Sequence, residues 1–132
     1  MVGEKDPAVA SWGDVNQQHV RLDSDALPWR ATPFPGVQWK KLAFDDRPLK
    51  DGGGMSTVLL QFAPGASYGM HRHPRGEQYL VLEGTLQDGG ESYGKGSYVW
   101  HPPGSAHRPS SKDGCVLVVT LGAPIEALGP SA

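Results

Sequence analysis

The chain lacks features that define several large classes of protein. It has one cysteine, Cys115, among 132 residues, so no internal disulfide can form and a reducing compartment is expected. No stretch approaches the roughly 20 consecutive apolar residues that a membrane-spanning helix needs. The first residues also lack the apolar segment of a secretion signal. These absences predict a cytoplasmic protein with no membrane partner.

Concentrated positive charge is missing too. Lys and Arg number 12 against 14 Asp and Glu, which gives a formal net charge of −2. Nucleic-acid binding depends on lysines and arginines that neutralise a line of phosphates, and the sequence has no basic run of this kind. We therefore expect no nucleic-acid partner and a small molecule as substrate or ligand.

Short strands are predicted instead of long helices. No window sustains an apolar period of 3.6 residues, while 18 glycines and 12 prolines divide the sequence at short intervals. This pattern predicts one all-β domain, a small antiparallel β-barrel or sandwich. The predicted strands are rich in β-branched and aromatic residues and lie at 56–62, 78–82, 97–100 and 115–121.

The N-terminal part differs from the rest. The segment DALPWRATPFPG holds three prolines and two large aromatic residues, Trp29 and Phe34. We predict an extended arm over 1–35, anchored by these two side chains on the barrel or on a neighbouring subunit, and a single barrel domain over 36–132. The exposed strand edges of a small barrel and this arm together predict a homodimer.

The stretch HRHPRGE, residues 71–77, is the first candidate for chemistry. Residues two apart in a strand face the same side, roughly 6.5–7 Å apart, so His71 and His73 can aim two imidazoles at one point. A proline and a glycine then turn the chain, and Glu77 can reach that point from the next strand. Two imidazoles and a carboxylate can hold a divalent ion. From this stretch alone, a pair of surface histidines is an equally good interpretation.

A second stretch, GSYVWHPPGSAH at 96–107, favours the metal site. Its Pro-Pro-Gly turn can bring His107 onto a strand beside the first pair. The spacings of both stretches are regular: Gly65, five residues, His71-x-His73, three residues, Glu77, six residues, Gly84; then Gly96, five residues, Pro102-x-Gly104, two residues, His107.

These two spaced motifs resemble those of the cupin superfamily, whose small jelly-roll barrel, or double-stranded β-helix, holds a divalent metal through three histidines and one glutamate. The resemblance implies that the metal ligands are His71, His73, Glu77 and His107. The second motif commonly ends in Asn, and Ser111 stands there instead. Because that Asn supports a turn and binds no metal, the change affects the loop and leaves the site intact.

A narrower resemblance covers 62–88 and 102–115. These segments are similar to the branch that contains the cupin domain of ChrR-type anti-sigma factors and the acetylacetone-cleaving dioxygenases. The branch implies either a zinc-binding regulatory domain or an iron enzyme that uses dioxygen. Such an anti-sigma factor needs a further helical domain, and residues 1–55 show no amphipathic helix that could serve. The sequence therefore favours an enzyme or a binder of small molecules.

The leading interpretation is a mononuclear non-heme dioxygenase that cleaves a C–C bond. Four protein ligands leave two adjacent positions, which suit the enolate of a β-dicarbonyl. Fe²⁺ is favoured for activity, while Zn²⁺ or Ni²⁺ could fill the purified protein. If Glu77 leaves the metal, its carboxylate can act as the catalytic base. The alternatives are a zinc-binding sensing domain of ChrR type and a non-redox cupin, either an isomerase or a carrier of small ligands.

Further side chains are candidates for contact with the substrate or the ligands. Strand parity places Tyr79 on the metal-facing side, although a buried tyrosine with a satisfied hydroxyl is an equal alternative. His101 lines the cavity mouth or lies on the surface, and Arg75 pairs with a substrate anion or stays solvated at a hairpin tip. For three aromatic residues the cavity wall and the core are both open: Tyr68, Tyr98 and Trp100.

Overall fold

The computed structural model describes residues 19–45 and 47–128. Within these ranges the chain forms strands and two short 3-10 turns, Ser24–Ala26 and Leu49–Asp51, without an α-helix. This confirms the all-β prediction. No helix in the described part of the chain is long and apolar enough to cross a membrane. The strands are β1 (Arg30–Ala31), β2 (Val37–Ala43), β3 (Ser56–Phe62), β4 (Ala66–Ser67), β5 (His71–His73), β6 (Glu77–Asp88), β7 (Glu91–Gly94), β8 (Tyr98–His101), β9 (Ser105–His107), β10 (Ser110–Ser111), β11 (Cys115–Leu121) and β12 (Glu126–Ala127).

Antiparallel pairing joins these strands into two sheets. The larger sheet has the order β1-β2-β3-β11-β6-β10-β4, and both β7 and β8 also pair with β6. The smaller sheet has the order β12-β5-β9. The long strand β6 pairs with β8 and β11 through its first part and with β7 through its last four residues. Side chains of β6 are buried in both parts of the strand, at Glu77, Tyr79 and Val81 and again at Leu86 and Asp88.

Alternation along the central strands builds that interior. On β11, Cys115, Leu117, Val119 and Leu121 are buried, whereas the residues between them are partly exposed. This is the period of two that a strand with one face on a core requires. Inward side chains from β3 and β6 complete the same cluster: Val58, Phe62, Tyr79, Val81 and Leu86.

Two glycines allow the chain to pass close to its neighbours around β6. Gly76 and Gly84 have φ angles of +84° and +73°, a region that favours glycine. A Cβ atom on Gly76 would lie 2.8 Å from the carbonyl oxygen of His101, and one on Gly84 would clash with the carbonyl oxygen of Gly114. These contacts explain why glycine stands immediately before β6 and again inside it.

The described part of the predicted arm packs on the barrel. The Phe34 ring lies 4.5 Å from the Tyr68 ring, and the Lys40 ammonium lies 4.7 Å from the centre of the Trp29 ring. Strand β1, within the arm, pairs with β2. Residues 1–18 of the arm lie outside the described residues, and the boundary at residue 35 stays a prediction.

Candidate metal centre

Three strands position the four predicted ligands. In the register of β5 and β9, His71 lies opposite His107, so both imidazoles leave the sheet on the same side. His73 follows two residues later on β5 and shares that side. The turn after β5 is closed by a hydrogen bond from the Gly76 N–H to the His73 carbonyl oxygen, 3.1 Å long. Glu77 then opens β6 beside the histidines.

The four side chains converge on one point. The His71 ring centre lies 4.6 Å from the centres of both other rings, and those two lie 5.0 Å apart. The Glu77 carboxylate faces the pair, with Oε2 3.1 Å from His73 Nε2 and Oε1 3.4 Å from His107 Nε2. One atom from each of the four residues lies within 4.8 Å of the others, so the group could hold one metal ion. We call these residues the ligand cluster.

Burial keeps His71 and His73 of this cluster uncharged. It lowers the pKa of His71 to about 4 and that of His73 to about 3, so both rings are neutral near pH 7 with a lone pair available. Burial, and then the charge of Asp88, raises the pKa of Glu77 to about 8. A cation in the cluster would favour the ionised carboxylate and relieve this penalty.

One buried oxygen of Glu77 indicates whether the ligand cluster is suited to an ion. Oε1 of Glu77 is buried and has no hydrogen-bond partner, although buried polar atoms rarely lack one. Carboxylate oxygens and imidazole nitrogens are ordinary ligands of zinc and of non-heme iron. A divalent ion among the four residues would satisfy this oxygen, so the donor set fits a metal.

The cluster opens into a cavity of about 230 Å³. Its wall is mainly apolar, and neither lysine nor arginine occurs among the described residues that line it. Tyr68 is part of the wall, with its ring 4.9 Å from that of His71. The apolar lining comes chiefly from Trp39, Phe44, Val58, Leu60, Phe62, Leu86, Leu117, Val119, Leu121 and Ile125.

A second buried group lies behind His107, and we call it the Asp88 cluster. The Asp88 carboxylate accepts hydrogen bonds from the Tyr79 hydroxyl at 2.7 Å, His101 Nε2 at 2.9 Å and His107 Nδ1 at 3.0 Å. Burial alone would raise the pKa of Asp88, but the three donors lower it well below its usual range. Burial, and then the hydrogen bond to Asp88, raise the pKa of Tyr79. Asp88 is therefore an ionised carboxylate held at the end of β6.

The other residues that the sequence suggested for contact with the substrate or the ligands lie in different parts of the structure. Tyr79 points inward, as strand parity predicted, and both Tyr79 and His101 contact Asp88. Arg75 is exposed and lies outside the cavity lining. Tyr98 is 59% exposed, because it lies opposite Leu80 on the outward face of β6. Neither residue belongs to the described cavity lining, and a contact of Arg75 or Tyr98 with the substrate stays a prediction.

Sequence reasoning missed Asp88. Glu77, Tyr79 and Val81 alternate inward along β6, and continued alternation would turn position 88 outward. The pairing of β6 with β11 shifts by one residue beyond Val81, and Asp88 is buried as a result. The sequence signal was Gly84 within a strand, since an isolated glycine there often marks a bulge.

Antiparallel sheets that surround three histidines and one glutamate define a cupin, in agreement with the resemblance found in the motifs. The sequence pattern of the ChrR cupin-like domain family matches residues 17–124, and the chain belongs to this family. None of the curated proteins compared with the chain matches it.

Solved structures share this fold. A candidate acetylacetone dioxygenase from Methylibium petroleiphilum has a TM-score of 0.75 and 17% identity, with 88% of this chain and 85% of that chain covered. An acetylacetone dioxygenase from Acinetobacter johnsonii has a TM-score of 0.70 and 16% identity over 85% and 78% of the two chains. The anti-sigma protein ChrR of Rhodobacter sphaeroides, solved with SigE, has a TM-score of 0.61 and 24% identity over 75% and 50%. At these identities the likeness establishes the fold alone.

Proposed function

We propose that the protein is a metal-dependent dioxygenase that cleaves a C–C bond in a small, enolisable β-dicarbonyl. The observation that carries the proposal is the ligand cluster with its unpartnered Glu77 oxygen, open to an apolar cavity. The fold shared with two proteins described as acetylacetone dioxygenases supports it. The lining and the volume of the cavity narrow the class of substrate further.

The cavity favours an uncharged substrate with an apolar body. Its described lining offers no lysine or arginine to pair with a free carboxylate. An engineered cavity of about 150 Å³ lined by Leu, Ile and Phe holds benzene, so one of about 230 Å³ can hold a dicarbonyl with small apolar substituents. Since the apolar wall excludes water, polar contacts with the substrate would concentrate at the ligand cluster.

The position of each residue in the site suggests its role in the proposed reaction. His71 and His107 each use Nδ1 for a hydrogen bond, to the Gly69 carbonyl and to Asp88, which leaves Nε2 free to coordinate. When bound, a divalent ion would supply the Lewis acidity that favours an enolate and, as Fe²⁺, the redox chemistry that dioxygen requires. If Glu77 leaves the ion, its carboxylate could accept the proton that the substrate loses as it enolises. The apolar wall would orient the substituents.

Oxygen uptake against a panel of 1,3-diketones tests the proposal. Protein reconstituted with Fe²⁺ should consume oxygen with uncharged diketones and much less with carboxylate-bearing analogues. His73→Ala, prepared in the same way, serves as the control and should be inactive. Wild-type protein with full iron occupancy and no oxygen consumption on any diketone would contradict the proposal.

Membership of the ChrR cupin-like family favours one second candidate, a zinc-binding regulatory domain. Such a protein would hold Zn²⁺ tightly and consume no oxygen after reconstitution with iron. A non-redox cupin is distinguished by its metal and gas requirements, because it would turn over substrate with Ni²⁺, Mn²⁺ or Zn²⁺ under anaerobic conditions. A dioxygenase would lose all activity there.

A further inference from the structure

The three histidines of the ligand cluster differ in what holds the far side of each ring. Nδ1 of His71 lies 2.7 Å from the Gly69 carbonyl oxygen, and Nδ1 of His73 is buried without a partner. His107 alone is held by a carboxylate, with Nδ1 3.0 Å from both oxygens of Asp88. Among the three histidines, only His107 therefore has a carboxylate on the far side of its ring.

That contact fixes the protonation pattern of the ring. Both Asp88 oxygens lie 3.0 Å from Nδ1 of His107, and because a carboxylate accepts hydrogen bonds, this contact assigns the hydrogen to Nδ1. Nε2 then keeps its lone pair, and it is this atom that lies 3.4 Å from Glu77 Oε1 and 2.9 Å from His73 Nε2. Asp88 thus selects the form of His107 that can bind a cation in the ligand cluster.

The carboxylate itself is held in place from two other sides. The Tyr79 hydroxyl and His101 Nε2 both donate to Oδ2 of Asp88. Asp88 is 4% exposed, and neither it nor His101 is part of the cavity lining. Asp88 therefore acts through His107 and makes no contact with a ligand in the cavity.

We infer that Asp88 is a positioning residue of the metal centre, which holds His107 in the tautomer and orientation that present Nε2 to the ion, while Tyr79 and His101 immobilise the carboxylate. Outer carboxylates of this kind orient histidine ligands and raise their basicity. The inference rests on the metal-binding part of the proposed function and is independent of the reaction that follows.

The tautomer of His107 in the metal-free wild-type protein is the first test. Long-range ¹H–¹⁵N NMR at mildly alkaline pH should show a hydrogen on Nδ1 and a bare Nε2. A His107 that carries its hydrogen on Nε2 overturns the inference. This measurement needs no variant, so it remains decisive if a substitution at Asp88 prevents folding.

Zinc affinity of Asp88→Asn, measured by competition with a chromophoric chelator, is the second test. Asn keeps the size of the side chain but loses the charge and one acceptor, and the Kd should rise about 10–100-fold. Tyr79→Phe is the matched control, because it removes a donor to Asp88 and leaves the carboxylate on His107. Its Kd should rise by much less than tenfold. An Asp88→Asn protein with wild-type affinity would overturn the inference.

A double-mutant cycle separates positioning from a general effect on the fold. In a His107→Ala background, Asp88→Asn should cause no further loss of zinc affinity, because its target is gone. An equal loss in both backgrounds would mean that Asp88 acts without His107 and would overturn the inference. If the wild-type protein binds no metal, the proposed function and the inference fail together, whereas a wild-type protein that binds Zn²⁺ with His107 protonated on Nε2 overturns the inference alone.

Discussion

Two buried polar clusters share His107, and they differ in how completely their hydrogen bonds are satisfied. In the ligand cluster, Oε1 of Glu77 has no partner, and histidine nitrogens converge on the same space. In the Asp88 cluster the carboxylate accepts from three donors. Because buried polar atoms are normally partnered, we expect a further group to bind at the unsatisfied cluster and the satisfied cluster to support it.

The largest expected effect comes from removing a ligand. His73→Ala should lose most of its bound metal, and with it the stabilisation that the ion supplies. At a free metal concentration of 100 times Kd, an ion stabilises the folded state by about 2.7 kcal/mol. Elemental analysis and the Tm with and without metal measure both effects.

His101→Ala is the matched control for this substitution, since it removes an imidazole from the Asp88 cluster and leaves all four ligands. Its metal occupancy should stay close to that of the wild type. If His73→Ala keeps full occupancy, or if His101→Ala loses as much metal as His73→Ala does, the distinction between the two clusters fails.

The next effect is a pH dependence of the metal-free protein. With its pKa raised from 4.5 to about 8, folded Glu77 keeps a proton that the unfolded chain releases. Stability should therefore fall as pH rises through this window. His71 and His73, with pKa values lowered from 6.5 to about 4 and 3, act oppositely, since stability falls below pH 6.5 as the unfolded chain takes up protons.

Denaturant unfolding of chelator-treated protein over this pH range checks both effects. The free energy of unfolding should rise with pH on the acid side (the acid limb), reach a maximum near pH 6.5 and fall above it (the alkaline limb). Glu77→Gln cannot ionise, so it should flatten the alkaline limb and steepen the acid limb between pH 4.5 and 6.5, where Glu77 opposes the two histidines. Metal-loaded wild-type protein should also lose the alkaline limb, because the ion favours the carboxylate. An alkaline limb that persists in Glu77→Gln would show that another group causes it.

A smaller loss is expected from Tyr79→Phe. A hydrogen bond to a charged group contributes about 1.5–3 kcal/mol, and Asp88 keeps two donors after the change. Chemical denaturation should show a loss in this range for the metal-free protein. A loss no greater than that of an exposed substitution would mean that the bond between Tyr79 and Asp88 contributes nothing measurable.

The smallest effect is expected on the outward face of β8. Tyr98 is exposed, and its hydroxyl donates to Gln78, also exposed. Tyr98→Ala should therefore change the free energy of unfolding by less than about 0.5 kcal/mol and leave the metal affinity unchanged. Weaker metal binding in this variant would show that Tyr98 affects the metal site despite its exposure.

The contrast between Tyr79 and Tyr98 shows which side-chain directions could be predicted from the sequence. Tyr79 stands two residues after Glu77 in an unbroken strand, so its inward direction could be predicted. The direction of Tyr98 depends on the register of β8 against β6, where it pairs with Leu80. Register is set by turns and long-range pairing, which local alternation does not contain.

The Asp88 cluster was beyond sequence reasoning for a related reason. The resemblance of the two spaced motifs to those of cupins implied the group His71, His73, Glu77 and His107, and short glycine and proline signals mark the turns within these motifs. Asp88 reaches His107 only after the irregularity in β6 reverses which residues face inward. Its hydrogen bonds depend on the three-dimensional path of that strand.

Anomalous scattering from crystals grown with Zn²⁺ or Fe²⁺ tests most directly that the ligand cluster, and not the Asp88 cluster, holds an ion. We expect one peak at the absorption edge of the metal, surrounded by Nε2 of the three histidines and the Glu77 carboxylate. A peak between Asp88 and His101, or an ordered ligand cluster without a peak at saturating metal, would contradict the assignment.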